Sequence, residues 1–192
     1  MKEPILQFLS ICFSEYMQTE SYYLVQTKRW IEKIVIGLNL CPFAKKPFFD
    51  GQISYKVNQE DQLVPLVNEV IEESMKLNST TDFETSLIIL PGISLTFENF
   101  NDFILDLQEL LDKDQEYQMK LIAFHPEFRY ADSQPDETAN ATNRSPYPMI
   151  HILKKSSLEI AKNSQIDIPG LLINNKNRLS SMSWEEIRLL YS

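Results

Sequence analysis

The segment Thr85 to Gly92, which reads TSLIILPG, decides the fold class of this chain. Its apolar residues from Leu87 to Leu90 form a short continuous run, and the Pro-Gly pair that follows favours a turn. A run of this length closed by a turn is typical of a buried β-strand. We therefore predict a strand over residues 85–90 and work outward from it.

Strand-like and helix-like patterns alternate on both sides of this segment. Upstream, alternating apolar residues over 53–57 predict a strand, and helical spacing over about 61–77 predicts a helix. Downstream, Thr96 can cap a third helix with a wide apolar stripe, and residues 118–124 predict a third strand. This alternation indicates a small single-domain α/β fold with about three strands in a mainly parallel sheet. An α+β arrangement of ferredoxin type is the alternative.

The two ends of the chain add further predicted helices. Residues 23–40 show helical spacing around Trp30, and Pro42 is expected to end that helix. Ser145-Pro146 resembles an N-cap followed by proline, which predicts a fourth main helix up to about Lys162. The sequence from Ser183 to Glu186 fits the capping box of a short terminal helix. We expect residues 1–22 to be a helical N-terminal extension and residues 23–192 to be one α/β domain.

Composition excludes several classes of partner. The chain has 192 residues and a formal charge of -9, which argues against nonspecific binding to nucleic acid or to an anionic membrane surface. It has no apolar run long enough to span a bilayer, and its N-terminus lacks the features of a signal peptide. The two cysteines indicate no disulfide framework. We expect a soluble, cytoplasmic protein.

A candidate site follows the third predicted strand. Ligands of open α/β sheets tend to bind beyond the carboxyl ends of strands, and a loop of about 20 residues begins there with His125. This loop leads to Asn143 and Arg144 at the predicted start of the fourth helix, where free N–H groups and a guanidinium suit an anion. Capping and loop-fastening roles for these residues remain open, because polar side chains are common at helix starts.

Individual residues have both functional and structural interpretations. His125 is the best candidate for proton transfer, with a loop-holding histidine as the alternative. Cys41 is a candidate nucleophile, although its predicted place at a helix C-terminus disfavours a thiolate, and a buried structural cysteine is the alternative. His151, expected two turns into the fourth helix, could contact a ligand or pack in the core. The remaining candidate ligand contacts are Asn140, Arg129, Asp132 and Ser145.

Metal and cofactor signals are weak. The two histidines and two cysteines match no zinc spacing, and the sequence contains no phosphate-binding glycine loop. A magnesium site using Asp132 or Asp136 and a haem contact at Cys41-Pro42 remain open, and the sequence identifies no cofactor.

Three stretches together resemble a known bacterial family. These are TKRWIEKIVIGLNLCPFAKK (27–46), FHPEFRYAD (124–132) with the following PDETAN, and NRSPYPMIHILKK (143–155). In this order they resemble Domain of Unknown Function 1415, and the resemblance covers residues 25–168. It implies that these segments act as one unit, but it implies no activity.

Two main hypotheses follow. The first is an enzyme acting on a small anionic metabolite, with His125 in proton transfer and Arg144 binding the anion. The second is a binding module that recognises a small molecule or an acidic partner segment without catalysis, and a haem or metal protein is third. The sequence does not decide whether the protein is an enzyme, and it predicts no oligomeric state.

Overall fold

A four-stranded mixed sheet organises the chain. The computed structural model describes residues 20–114, 118–164 and 166–190. Within these ranges the strands are β1 (Ile53–Val57), β2 (Thr85–Ile89), β3 (Met119–Phe124) and β4 (Met149–Lys154). The helices are α1 (residues 20–36, with π-helical turns over Ile31–Ile36), α2 (Lys45–Phe49), α3 (Leu63–Ser79), α4 (Phe97–Asp112), α5 (Lys155–Lys162), α6 (Ile168–Ser180) and α7 (Trp184–Leu189). The predicted extension over residues 1–22 lies almost entirely outside the described residues.

The strand order is β1-β2-β4-β3. Strands β1 and β2 pair in parallel, whereas β4 pairs antiparallel with both β2 and β3. The first three strands therefore point the same way, and β4 is inserted between β2 and β3 in the opposite direction. The carboxyl ends of β1, β2 and β3 and the start of β4 meet at one edge of the sheet, in a row of facing residues: Val57, Ile89, Met149 and Phe124.

The α/β fold class is confirmed, but the expectation of a mainly parallel sheet is wrong. The helix predicted over 145–162 is also wrong, because Met149–Lys154 form β4 and helix α5 begins only at Lys155. Each proline in the Ser-Pro-Tyr-Pro segment disfavours helical geometry at the residue before it. The ferredoxin-like alternative does not fit either, because no α-helix separates β3 from β4, which are joined by a loop with one 3-10 helix at Thr138–Thr142, after two strand–helix units.

Most local predictions are confirmed. Helix α4 begins after Thr96, whose side chain accepts a hydrogen bond from the N–H of Asn99. Helix α7 begins with the predicted capping box, in which Ser183 and Glu186 bond reciprocally. Helix α6 was not predicted, although Asp167 caps its start and proline follows.

Two apolar clusters cover the two faces of the sheet. Helices α3 and α4 pack on the first face around Leu66, Val70, Phe100, Ile104, Ile88, Ile150 and Ile152. Helices α1, α6 and α7 contribute to the second cluster, which contains Trp30, Ile31, Ile34, Leu87, Ile89, Met149, Leu179 and Ile187. The sheet is therefore the middle layer of three, as burial of apolar surface on both faces requires.

A buried polar network lies between α3 and the parallel strands. Glu73 is 5% exposed, and its carboxylate accepts hydrogen bonds from Ser86 Oγ at 2.8 Å and Ser54 Oγ at 3.1 Å. Lys76 Nζ donates to Ser54 Oγ at 2.9 Å and lies 3.3 Å from the Glu73 carboxylate. Each buried polar group therefore has a partner, which offsets its desolvation.

Candidate functional site

His125 lies immediately after β3, as predicted, but its ring is enclosed. It is 3% exposed, and the rings of Phe97 and Phe100 lie 6.0 and 5.6 Å from it, centroid to centroid. Nδ1 accepts the main-chain N–H of Glu127 at 3.0 Å, and Nε2 lies 3.2 Å from the carbonyl oxygen of Leu95. A ring whose Nδ1 accepts must carry its proton on Nε2, which donates to that carbonyl. Both ring nitrogens are thus engaged by main-chain groups.

Burial also disfavours the charged form of this imidazole. Desolvation lowers the pKa of His125 below its ordinary value, against smaller opposing effects from Glu127 and the Leu95 carbonyl. The ring therefore has the contacts of a histidine that fastens a loop, and these contacts leave neither nitrogen ready to exchange a proton with a ligand.

The loop after β3 does return to His125. The main-chain N–H of His125 donates to Asn143 O at 3.3 Å, and the N–H of Ser145 donates to His125 O at 3.4 Å. The structure therefore brings the segment Asn143–Ser145 beside His125, as the sequence predicted. No helix begins there, so the prediction that Arg144 lies at a helix N-terminus is wrong.

The Arg144 guanidinium is engaged by the loop itself. Nε donates to Phe128 O at 2.9 Å and Nη2 donates to Pro135 O at 2.6 Å. The guanidinium also lies 4.6 Å above the Trp184 ring, whose Nε1 donates to Asp136 O at 2.7 Å. Partial burial lowers the pKa of Arg144 from its ordinary value. These contacts join the loop to α7, and they match the loop-fastening alternative.

Arg129 and Asp132 fasten the same loop to two other helices. Arg129 Nη2 lies 2.8 Å from Glu98 at the start of α4, and Lys176 Nζ on α6 lies 3.4 Å from Asp132. The main-chain N–H of Glu98 and then Arg129 hold the pKa of the Glu98 carboxyl below its usual range. Both pairs are substantially exposed, so each is expected to stabilise the loop only weakly.

Asn140 is the best-satisfied polar residue of the loop. It is fully buried, and its Oδ1 accepts from Ser133 Oγ at 2.6 Å and from Tyr130 N at 3.1 Å. Its Nδ2 donates to Gln134 O at 2.7 Å. Ser145 Oγ donates to the carbonyl of Tyr147. The polar cluster seen in the sequence therefore bonds mainly to its own backbone.

Cys41 stands before α2 and not at the end of an α-helix running to residue 40. Burial raises the pKa of its half-buried thiol, and the main-chain N–H groups of Phe43 and Ala44 partly offset this effect. Asn175 Nδ2 on α6 donates to the neighbouring Leu40 O at 2.7 Å. In the part of the chain that the structure describes, no hydrogen bond links Cys41 to His125, so the structure does not unite them as a catalytic pair.

His151 lies on β4, in the middle of the second sheet face, and not on a helix. Its Nε2 is 2.7 Å from Thr85 Oγ1, which itself donates to Ile152 O at 2.6 Å. Since the threonine proton is used, Nε2 must carry the imidazole proton and donate it to Thr85. Nδ1 then presents a lone pair, and this buried atom has no hydrogen-bond partner among the described residues. Burial lowers the pKa of His151 to about 4.

Trp30 has a buried hydrogen-bond donor without a partner among the described residues, whereas His151 has a buried acceptor. Its side chain on α1 is 2% exposed, and its indole Nε1 is buried with no partner in the described ranges. Its ring meets Phe124 edge-on at a centroid distance of 5.3 Å, and Phe124 also stacks on His151, at 5.7 Å and an interplanar angle of 27°. We call Trp30 Nε1 and His151 Nδ1 the unpartnered pair. One atom is a donor and the other an acceptor, and both rings border the same phenylalanine.

Sequence reasoning identified His151 as a candidate but treated Trp30 only as core. The indole N–H was the available signal, because a tryptophan in an apolar stripe still needs a hydrogen-bond partner when buried. Such unpartnered atoms are uncommon in folded proteins and mark sites for water, ligands or chemistry.

Other kinds of site receive less support. No group of three histidine, cysteine, aspartate or glutamate side chains that could hold a metal occurs within the described ranges. A surface depression is lined by Asp136, Glu137, Thr138 and Ser180, and its acidic residues do not suit an anion. Among the helices the structure describes, none is long and apolar enough to cross a membrane.

Comparison with known proteins places the chain in a family. A family model described as "Protein of unknown function (DUF1415)" matches residues 23–188, which is most of the chain. No curated protein and no solved structure matches it.

Proposed function

The chain belongs to the DUF1415 family, and from this premise we propose that it is a non-catalytic small-molecule-binding protein whose site includes Trp30 and His151. The observation that carries the proposal is the unpartnered pair, a buried indole donor and a buried imidazole acceptor beside one aromatic ring. A mainly apolar surface with a few convergent polar groups is the usual composition of a small-molecule site.

The energetic argument concerns the cost of leaving these atoms unpaired. A buried polar group without a partner destabilises a protein by about 1–3 kcal/mol. A ligand that supplies both partners removes two such penalties on binding, which favours the bound state. A bridging water could supply them too, so the experiment must separate a ligand from water.

The unpartnered pair lies at the second apolar cluster, between α1 and the sheet. The row of Tyr55, Leu87, His151 and Ile122 crosses the sheet, and the row of Val57, Ile89, Met149 and Phe124 lies next to it. Thr27 on α1 is fully buried and directs its hydroxyl at the Met149 sulfur, 3.9 Å away. Helix α1 therefore forms one side of the proposed site and the sheet forms the other.

We place this proposal ahead of catalysis by His125. That imidazole is enclosed and bonded at both nitrogens, and Arg144 is committed to two carbonyl groups and an indole ring. An enzyme of the kind first expected would need both side chains to change partners before meeting a substrate.

The proposal can be tested by NMR, because the chain has few tryptophan and histidine side chains. The chain has two tryptophans and two histidines, so Trp184 and His125 serve as internal controls for Trp30 and His151. We would titrate ¹⁵N-labelled protein with four one-ring probes: toluene, benzoate, benzylammonium and benzamide. Binding at the proposed site shifts the Trp30 indole and His151 ring resonances and leaves those of Trp184 and His125 in place.

The absence of any change in these resonances would contradict the proposal. If all four probes leave the Trp30 and His151 resonances unchanged up to their solubility limits, none of these molecules reaches the pair. The protein then has no small-molecule site at this position, and the proposal fails.

A further inference from the structure

Strand β1 forms one edge of the sheet, and the hydrogen bonds of its neighbours show which of its main-chain groups point outward. Asn58 N donates to Ile89 O at 2.9 Å, on the β1 side of β2. On the other side of β2, Leu90 N donates to Pro148 O at 2.9 Å, just before β4. Since alternate residues of a strand bond to opposite neighbours, the even-numbered residues of β1 bond to β2. The N–H and C=O groups on the outer edge therefore belong to Ile53, Tyr55 and Val57.

The opposite edge of the sheet is closed by the chain itself. The Gln108 side-chain amide on α4 accepts from Leu121 N at 2.8 Å and donates to Met119 O at 3.2 Å, which covers the start of β3. The residue that follows β3 exchanges main-chain hydrogen bonds with Asn143 and Ser145. Along β1, no hydrogen bond from the described residues reaches the outer main-chain groups. One edge is thus blocked to a further strand, and the other is open.

We propose that the open edge of β1 pairs with β1 of a second copy of this chain, in antiparallel orientation about a twofold axis at Tyr55. In this register Tyr55 faces its own counterpart, and Ile53 faces Val57 of the second copy. All the outward main-chain groups then find partners, with about six hydrogen bonds between the copies. A contact of this kind closes on itself, so the product is a dimer with one continuous sheet.

Strand β1 has none of the features that keep edge strands apart. It contains no proline, and its pairing with β2 is regular and without a bulge. Its single charged residue, Lys56, has an ammonium that lies 3.1 Å from Glu69 and 4.0 Å from Glu72. In the proposed register Lys56 faces Ser54 of the second copy, so no two lysines oppose each other across the strands.

The charges of α3 also match across this axis. Lys76 Nζ donates to Ser54 Oγ at 2.9 Å, and Glu72 lies 4.0 Å from Lys56 Nζ. Because the axis places Ser54 level with Lys56 of the second copy, Lys76 of each chain lies level with Glu72 of the other. Both side chains are substantially exposed. This charge complementarity favours a second copy of the chain over a strand of unrelated sequence.

Amide hydrogen exchange, measured with sedimentation over a range of protein concentrations, tests this interface. The protein should sediment as one chain when dilute and as two when concentrated. Exchange of the outward amides, those of Ile53, Tyr55 and Val57, should slow at least about tenfold as the dimer forms. The amides of Ser54 and Lys56 already bond to β2 and are the internal control, protected at every concentration.

Three results would overturn the proposal. The first is a protein that sediments as one chain at every concentration, even if the outward amides are protected, because the chain would then cover its own edge. The second is a dimer in which the outward amides still exchange quickly, because it would form through another surface. The third is a complex in which those amides are protected only by an added protein of different sequence.

A proline at the centre of the interface tests the hydrogen bonds directly. Tyr55→Pro removes the outward N–H of each chain at the axis and leaves the ladder to β2 intact, as proline on an edge strand allows. The dissociation constant of the dimer should rise at least about tenfold, because both central hydrogen bonds are lost. An unchanged dissociation constant in a folded variant would contradict the proposed register.

A cysteine at the same position keeps the test decisive if the proline variant does not fold. Tyr55→Cys is made together with Cys12→Ser and Cys41→Ser, so that each chain has one thiol. The two facing Cα atoms would lie about 5.5 Å apart, within the range of a disulfide, and mild oxidation should yield covalent dimers. Lys120→Cys in the same background, on the exposed side of β3, is the matched control and should stay a single chain. Equal cross-linking of the two variants would overturn the proposal.

Discussion

Acidification should destabilise this protein through His151. Burial lowers the pKa of this imidazole from an ordinary value of 6.5 to about 4. The unfolded chain therefore takes up a proton at a higher pH than the folded chain does. The contribution of His151 to stability is complete above the unfolded pKa and is lost as pH falls towards the folded pKa.

The size of the effect follows from these two values. Between about pH 8 and about pH 5, proton uptake by the unfolded state removes about 2 kcal/mol from the free energy of unfolding. The loss would approach about 3 kcal/mol once the folded state is also protonated. This is a large part of the stability of a typical domain.

The assay is urea denaturation followed by circular dichroism at both pH values. Wild type and His151→Gln are compared, because the variant lacks the titrating ring and should lose about 2 kcal/mol less between the two conditions. His125→Gln runs alongside, since burial lowers the pKa of His125 in the same direction. Equal losses in wild type and His151→Gln would refute the reasoning, because they would mean that His151 is not held neutral by the fold.

Three substitutions test the loop and the buried network by denaturant unfolding. Asn140→Ala should lower the free energy of unfolding by about 3 kcal/mol, because three hydrogen bonds to a buried amide are lost. The control is Asn143→Ala. The Asn143 side chain makes no hydrogen bond among the described residues, so this substitution should change the free energy of unfolding by less than about 0.5 kcal/mol. Arg144→Ala should lower the free energy of unfolding by about 2 kcal/mol, because Arg144 loses two hydrogen bonds to carbonyl groups and its contact with the Trp184 indole. Arg129→Ala breaks an exposed ion pair and should lower it by less than about 1 kcal/mol. Glu73→Ala should cost about 3 kcal/mol, because the hydroxyl protons of Ser54 and Ser86 lose their buried acceptor. An equal cost for the two arginines or the two asparagines, or an unaltered midpoint for Glu73→Ala, would contradict these assignments.

The sequence predicted elements whose periodicity is local. The apolar residues Ile53 and Val57 of β1 and the stripe of α4 are buried as their spacing predicts, although Ser54 is also buried because α3 covers the other face of the sheet. The segment Met149–Lys154 was misread because it is apolar on both sides. A short run of that kind fits a strand or a buried helix equally well. Pairing with β2 and β3, distant in sequence, decides the outcome.

The candidate site was predictable only in part. The sequence placed His125 at a strand end and brought Asn143 near it, and the structure confirms both positions. It could not reveal that Phe97 and Phe100 enclose the imidazole, because that contact depends on how α4 packs. The sequence also could not show that Trp30 Nε1 and His151 Nδ1 lack hydrogen-bond partners among the described residues, because this depends on which residues surround them in the fold.

Electron density beside Trp30 Nε1 and His151 Nδ1 tests the central claim most directly. Crystals of the protein grown with each of the four probes should contain a probe molecule there, with a polar atom about 3 Å from Trp30 Nε1 or from His151 Nδ1 in at least one case. A structure in which both atoms bond only to ordered water, or to other groups of the protein, would contradict the account.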